Sequence, residues 1–205
     1  VDEIATLDPR IRCFHQSNSG TTAARRKAYS NSDQSAKYLL FLDSDDALEP
    51  DAVETLRAAL ESSPDASAVS CQDRYIDGDG APKNVITPSD RRHFRYIATR
   101  NGGFRKLDAK EPDTAASLAT WNGIRTPGCV LIRRSAFEKA GNVFRTDLQS
   151  AADWAMWLAL SKIGPILRVD KALLLYRLHD SNMSSDLRTM RSEVHTVRRE
   201  VLASK

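Results

Sequence analysis

Tyr38-Leu39-Leu40-Phe41-Leu42-Asp43-Ser44-Asp45-Asp46 places five consecutive apolar residues directly before three aspartates in four positions. The apolar run has the length of a strand and is too uniform for a half-exposed one, so it predicts a central strand of a parallel or mixed sheet. Acids at the end of such a strand mark a site, because open α/β proteins bind ligands at the carboxyl ends of their strands. Glu49 and Asp51 extend the cluster to five carboxylates in nine residues. At an effective dielectric of ~20, two like charges ~4 Å apart repel by roughly 4 kcal/mol, so a bound cation would explain the crowding. Mg²⁺ or Mn²⁺ suits it, since hard ions prefer carboxylate oxygen and water. The plainer reading is a turn that caps the following helix, and Glu49 and Asp51 are left to that role.

Outward from this segment the elements alternate. Upstream, Ile11 to His15 predicts a short strand, the turn Ser17-Asn18-Ser19-Gly20 follows, and Thr21 to Tyr29 predicts a helix of good helix formers. Downstream, Glu49-Pro50 opens a helix with Val53, Leu56, Ala59 and Leu60 at helical spacing, and Ser67 to Cys71 is the next strand. Gly128 to Ile132 predicts a strand, Ser135 to Ala140 a helix stopped by Gly141, and Asp153 to Ser161 a buried helix with Trp154, Trp157, Leu158 and Leu160. Ile166 to Val169 and Leu173 to Leu178 read as two strands. From Leu187 onward, Met190, Val194, Val197 and Val201 mark one stripe of a basic amphipathic helix. The alternation defines an α/β layer structure with crossovers. Two blocks follow: residues 1–184 as one domain, with 77–121 as a loop-rich surface insertion, and residues 185–205 as the amphipathic basic helix.

Composition narrows the function classes. The chain has 205 residues with 41% hydrophobic and 28% charged, enough for a sizeable core. A net charge of +3 is too mild to argue for nucleic acid. The apolar runs fall far short of the ~20 residues of a membrane span. Three widely spaced cysteines, Cys13, Cys71 and Cys129, suit reduced thiols in a cytoplasmic protein. Arg91, Arg92, Arg95, Arg100, Arg105 and Lys106 form a cationic stretch that reads either as a solvated loop or as a contact for an anionic acceptor or a membrane's cytoplasmic face.

Phe41-Leu42-Asp43-Ser44-Asp45-Asp46 resembles the Asp-x-Asp segment of glycosyltransferase family 2, inverting enzymes with the GT-A fold. Asp8-Pro9-Arg10-Ile11-Arg12, Asn18-Ser19-Gly20 and Ala24-Arg25 are similar to the family's strand, turn and helix start. Thr126-Pro127-Gly128 with Ile132-Arg133-Arg134-Ser135 is similar to the segment before its acceptor helix. Asp153-Trp154, Trp157-Leu158, Tyr176-Arg177-Leu178-His179 and Asn182-Met183-Ser184 resemble its carboxyl-terminal signature. The resemblance implies a GT-A-like, Rossmann-related three-layer sandwich with a mixed, mostly parallel sheet, whose first strand and base-recognition half lie outside these 205 residues. It also implies transfer of a sugar from a nucleotide-diphospho sugar, a UDP-sugar first among them, to a saccharide, lipid or protein hydroxyl. Asp43 would face the donor, Asp45 and Asp46 would hold the metal ion, and Asp153 would be the general base.

Arg25 and Arg177 could grip phosphate through their guanidinium forks, or Arg177 could balance the acids. His179 could approach the metal or sit on the surface, and Asp153 could simply cap its helix. The chain departs from the family pattern at Ala152, Ala155 and Ala159, where acids and an arginine are usual. Two alternatives follow: a non-catalytic nucleotide- or sugar-binding domain, and a haloacid-dehalogenase-like phosphohydrolase in which Asp43 is the nucleophile and Asp45 the acid.

Overall fold

The computed structural model describes residues 2–84, 95–141, 143–179 and 187–203. In chain order the elements are α1 (Asp2–Leu7), α2 (Thr21–Ser30), β1 (Tyr38–Leu39), β2 (Ala47–Leu48), α3 (Ala52–Glu61), β3 (Ala68–Ile76), β4 (Pro82–Lys83), β5 (Tyr96–Ala98), β6 (Phe104–Lys106), α4 (Ala115–Thr120), a 3₁₀ turn (Pro127–Cys129), β7 (Val130–Arg133), α5 (Arg134–Ala140), α6 (Ala152–Ser161), β8 (Ile166–Arg177) and α7 (Leu187–Ala203). The main sheet runs β1-β7-β3-β8-β2, with β4 added to β3. Residues Ala68 to Cys71 of β3 are all buried, so both faces are covered at the sheet's centre. The α/β class and its mixed sheet are as expected. The balance of strand directions is not: β3 and β8 are the one parallel pair among the described strands, and the other pairings of the main sheet are antiparallel.

The core is built where the periodicity placed it. Leu56 and Leu60 of α3, Trp157 and Leu160 of α6, and Val69, Val130, Ile132 and Leu173 of the strands are fully buried. Each such side chain contributes about 1.5–3 kcal/mol on leaving water. Val53 is instead exposed and Ala52 buried, a shift of one position in the inward face of α3. Gly164 is required where the chain turns back, because a Cβ there would lie 2.2 Å from the Asp65 carbonyl oxygen. Gly141 ends α5 at φ 75°, and Gly20 opens α2 at φ 84° with its N–H held by Asn18 Oδ1 at 3.1 Å.

Three expectations about the strands are corrected. Tyr38 to Leu42 is an edge segment with two residues in the sheet, and Leu42 is 45% exposed. Its apolarity serves a different cluster: Phe41 packs on Phe137 and Phe144 at 5.8 and 5.9 Å between ring centroids, and Tyr29 joins them. Ile11 to His15 carries no regular structure and lacks a strand partner among the described residues. The two C-terminal strands are one, β8, whose pairing with β3 shifts register near Gln72.

The 77–121 segment is less loop-like than expected, since it holds β4, β5, β6 and α4. Arg95 within it is buried rather than solvated: its guanidinium reaches Asp113 Oδ1 at 3.0 Å and the Asp108 carbonyl at 2.7 Å. Arg105 pairs with Glu111 at 2.6 Å. The cationic stretch therefore loses two of its members to ion pairs, while Arg91 and Arg92 lie outside the described residues. The α7 helix forms as expected and docks on the core through Val197, which is 2% exposed. Cys13, Cys71 and Cys129 are free thiols. No helix among the described residues is long and apolar enough to cross a membrane.

Candidate functional site

The acidic turn is pinned to the end of the sheet. The Asp46 N–H donates to the Asp43 carbonyl at 3.2 Å, and β2, directly after it, pairs with β8 at Ala47–Leu175 and Leu48–Leu174. The turn thus lies beside the carboxyl end of β8, which runs parallel to β3. Arg177 at that end braces the turn. Its N–H donates to Asp46 Oδ1 at 3.0 Å, Nε to the Asp45 carbonyl at 2.8 Å, and Nη1 to the Asp77 and Gly78 carbonyls at 2.6 and 2.7 Å. Backbone carbonyls after two strands therefore share one guanidinium, which fixes the turn relative to β3.

Each aspartate has a different environment. Asp43 receives Arg25 from α2 at 2.5 Å on one oxygen and the Thr126 hydroxyl at 3.3 Å on the other. Asp45 Oδ2 lies 2.8 Å from His179 Nε2. Asp46 is the most perturbed: burial first, then the charges of Asp45, Asp43 and Asp73, push its carboxyl up to about 6 against the opposing Arg177 N–H. Its Oδ2 is buried with no hydrogen-bond partner among the described residues. Beside it in charge terms, Asp73 of β3 forms an ion pair with Arg125 at 2.8 Å, and Arg125 lies 4.9 Å above the Tyr75 ring. Glu49 and Asp51, assigned to structure, pair with Arg74 and Lys171.

A divalent ion fits the chemistry of this turn. Carboxylate oxygens suit Mg²⁺ or Mn²⁺, an imidazole favours Mn²⁺ of the two, and the orphaned Asp46 oxygen is a buried acceptor that lacks a positive partner. The three expected ligands do not converge as a tight triad. Among the described residues, the group whose ligand atoms all lie within 4.8 Å is Asp2, Cys13 and His15, with both Asp2 and His15 exposed. Asp45 and His179 would hold the ion, with Asp46 adjoining.

Asp153 is placed on another element, in the first turn of α6, where Oδ1 accepts the Trp154 N–H at 2.6 Å. Trp154 donates its indole N–H to the Leu118 carbonyl at 2.9 Å, which ties α6 to α4. A cavity of about 150 Å³ opens beside this turn, walled by Trp121, Asn122, Trp154 and, from α7, Met190, Val194 and Arg198. Sequence reasoning missed three contributors to the site region. The inward-phase aspartate of β3, Asp73, was a legible signal in an apolar strand. Thr126 was read only as part of a family-like segment and Glu193 carried no signal, because their partners lie 83 and more than 40 positions away.

A mixed α/β sheet with an acid turn at its strand ends is the arrangement that the GT-A resemblance implies. The chain belongs to glycosyl transferase family 2, whose model matches residues 1–141, the acidic turn and Arg25 included. It is 27% identical over 190 residues to the chondroitin synthase of Escherichia coli, covering 91% of this chain and 24% of that protein. It is 23% identical over 188 residues to an uncharacterized glycosyltransferase of Haemophilus influenzae, covering 90% of this chain and 53% of that one. The chain therefore spans only part of these relatives. Its fold is similar to the crystal structure of S. aureus TarS 1–349, with a TM-score of 0.55 at 15% identity, over 80% of this chain and 42% of that one.

Proposed function

We propose that this domain transfers a sugar from a nucleotide-diphospho sugar to an acceptor hydroxyl, with inversion and with help from a divalent ion. The observation that carries the reading is the acidic turn itself, in which one Asp46 oxygen is buried with no hydrogen-bond partner among the described residues, next in sequence to the Asp45 that meets His179. Membership of the family and the glycosyltransferase names of its relatives support sugar transfer in general. A bound Mn²⁺ or Mg²⁺ would supply positive charge to the departing diphosphate. Asp45 and His179 would hold that ion, and Arg25 orients Asp43 toward the donor. Arg177 keeps the turn in place through its carbonyl contacts, a bracing role rather than a phosphate grip.

Asp153 takes the proton of the acceptor hydroxyl as its oxygen forms a bond to the anomeric carbon and the carbon–diphosphate bond breaks on the opposite face. The donor is a UDP-sugar and the acceptor a saccharide, the latter in keeping with the chondroitin synthase relative. The same proposal has the protein working in the cytoplasm, at or near the inner face of a membrane. Asp43 is no free nucleophile, since Arg25 and Thr126 occupy its two oxygens, which disfavours the phosphohydrolase alternative.

Calorimetry of the full-length protein with Mn²⁺ and UDP tests the site. Coupled binding is expected, and Asp45→Ala should abolish it. Asp153→Asn should retain that binding while kcat for transfer falls about 10²–10⁴-fold. Binding that survives in Asp45→Ala would remove the metal assignment. Binding without any transfer by the unsubstituted protein would favour a non-catalytic domain.

A further inference from the structure

Helix α6 begins without a side-chain cap of its own, since Ala151 occupies the capping position. The first N–H groups of a helix and of the turn leading into it still need acceptors. One side chain from the far end of the chain serves the amides of the turn leading in. Glu193 of α7 accepts the Gln149 N–H on Oε1 at 2.8 Å, and the Ser150 and Ala151 N–H groups on Oε2 at 2.7 and 2.9 Å. Three charge-assisted bonds to consecutive amides fix a backbone segment far more narrowly than one surface contact would. A carboxylate in this position also complements the positive end of the α6 dipole.

The segment so fixed ends two residues before Asp153. A second tie holds its beginning: Arg145 gives two bonds to Glu200, at 2.7 and 3.0 Å, and two to Asp147. Between Glu193 and Glu200 on α7 lies Val197, buried in the core. The α7 helix is thus anchored on the fold through Val197, with Val194 and Val201 packed beside it, and grips the 145–151 segment at both ends with Glu193 and Glu200. The backbone that leads into α6, two residues before Asp153, is thus held by a helix that sequence reasoning treats as a separate block.

We propose that Glu193 is a positioning residue for the transfer reaction: through the 149–151 amides it places Asp153 against the acceptor hydroxyl without touching substrate itself. This rests on Asp153 being the base, as argued above. A displacement of ~1 Å at a reacting group can cost about 10²-fold in rate, so the effect of losing the clamp falls on the chemical step.

The test compares Glu193→Ala, Glu193→Gln and Asp153→Asn in the full-length protein, with steady-state kinetics, Mn²⁺ and UDP calorimetry, and amide hydrogen exchange. Glu193→Ala should lower kcat by about 10–100-fold. Its donor KM and UDP affinity should stay within about twofold of the unsubstituted protein, while protection at residues 149–151 is lost. Glu193→Gln keeps one oxygen for the Ser150 and Ala151 amides and should recover most of kcat. Unchanged kcat in Glu193→Ala, with Asp153→Asn inactive, overturns the positioning role alone. A fall in kcat matched by an equal loss of donor binding, with no recovery in Glu193→Gln, marks a purely structural residue and also overturns it. Full activity in Asp153→Asn removes the base assignment and this proposal together. Should Glu193→Ala fail to fold, the split between kcat and KM in Glu193→Gln decides.

Discussion

Asp46→Asn should make the metal-free protein more stable while weakening its response to metal. The native carboxyl is raised from 3.8 to about 6, with burial as the largest cause. A raised carboxylate binds its proton more tightly in the folded state than in the unfolded one. Its contribution to stability is therefore fully present below pH ~3.8 and is lost as the pH rises through ~6. Taken whole, the shift is worth about 3 kcal/mol at pH 8. Asp46 is only partly buried, so solvent screening reduces this to about 1–2 kcal/mol.

Asparagine keeps the oxygen that accepts the Arg177 N–H and turns a neutral amide toward the charges of Asp45 and Asp43. For a chain of this size, 1–2 kcal/mol corresponds to a melting point about 3–6 °C higher. The assay is a set of thermal melts at pH 5 and pH 8, with EDTA or with MnCl₂. In EDTA the advantage of the variant should be largest at pH 8 and roughly half as large at pH 5. With Mn²⁺ at about 100 times its Kd, the unsubstituted protein should gain about 2.7 kcal/mol, and the variant clearly less. A variant that melts lower in EDTA at pH 8, or one that responds to Mn²⁺ as the unsubstituted protein does, would refute the reasoning.

Two further outcomes test the frame around the site. Arg95→Met removes one partner of the buried Arg95–Asp113 pair and also leaves the Asp108 and Glu111 carbonyls without their donor, so urea unfolding should show a loss of about 3–5 kcal/mol. A loss under ~1 kcal/mol would mean the pair behaves as an exposed one. Gly164→Ala forces a Cβ into the Asp65 carbonyl oxygen, where backbone must give way; it should cost about 3 kcal/mol or more, and a variant as stable as the parent would contradict the close approach.

Some of this molecule is written locally. The helical spacing of Leu56 and Leu60, the apolar girth of α6, the Gly141 stop and the stripe of α7 depend on residues a few positions apart, and all appear where the pattern put them. The acidic turn was legible for the same reason, since three aspartates in four positions is a statement about charge density that needs no fold. Its brace was half legible: Arg177 was seen as a partner of the acids, but its use on backbone carbonyls 99 to 132 positions away was not.

What the sequence by itself determined is the position of the helices with clear period and stop signals and the placing of carboxylates next to a strand end, because period, capping and charge crowding act over one or two turns. Only the tertiary structure decided that Tyr38 and Leu39 form an edge strand and that Arg95 is buried. It alone decided that Asp46 keeps an oxygen unpartnered among the described residues and that Glu193 holds the amides leading into α6. Each of these depends on which groups meet after the chain has crossed the sheet and come back. Burial and hydrogen bonding between such distant groups are properties of that meeting, not of either segment alone.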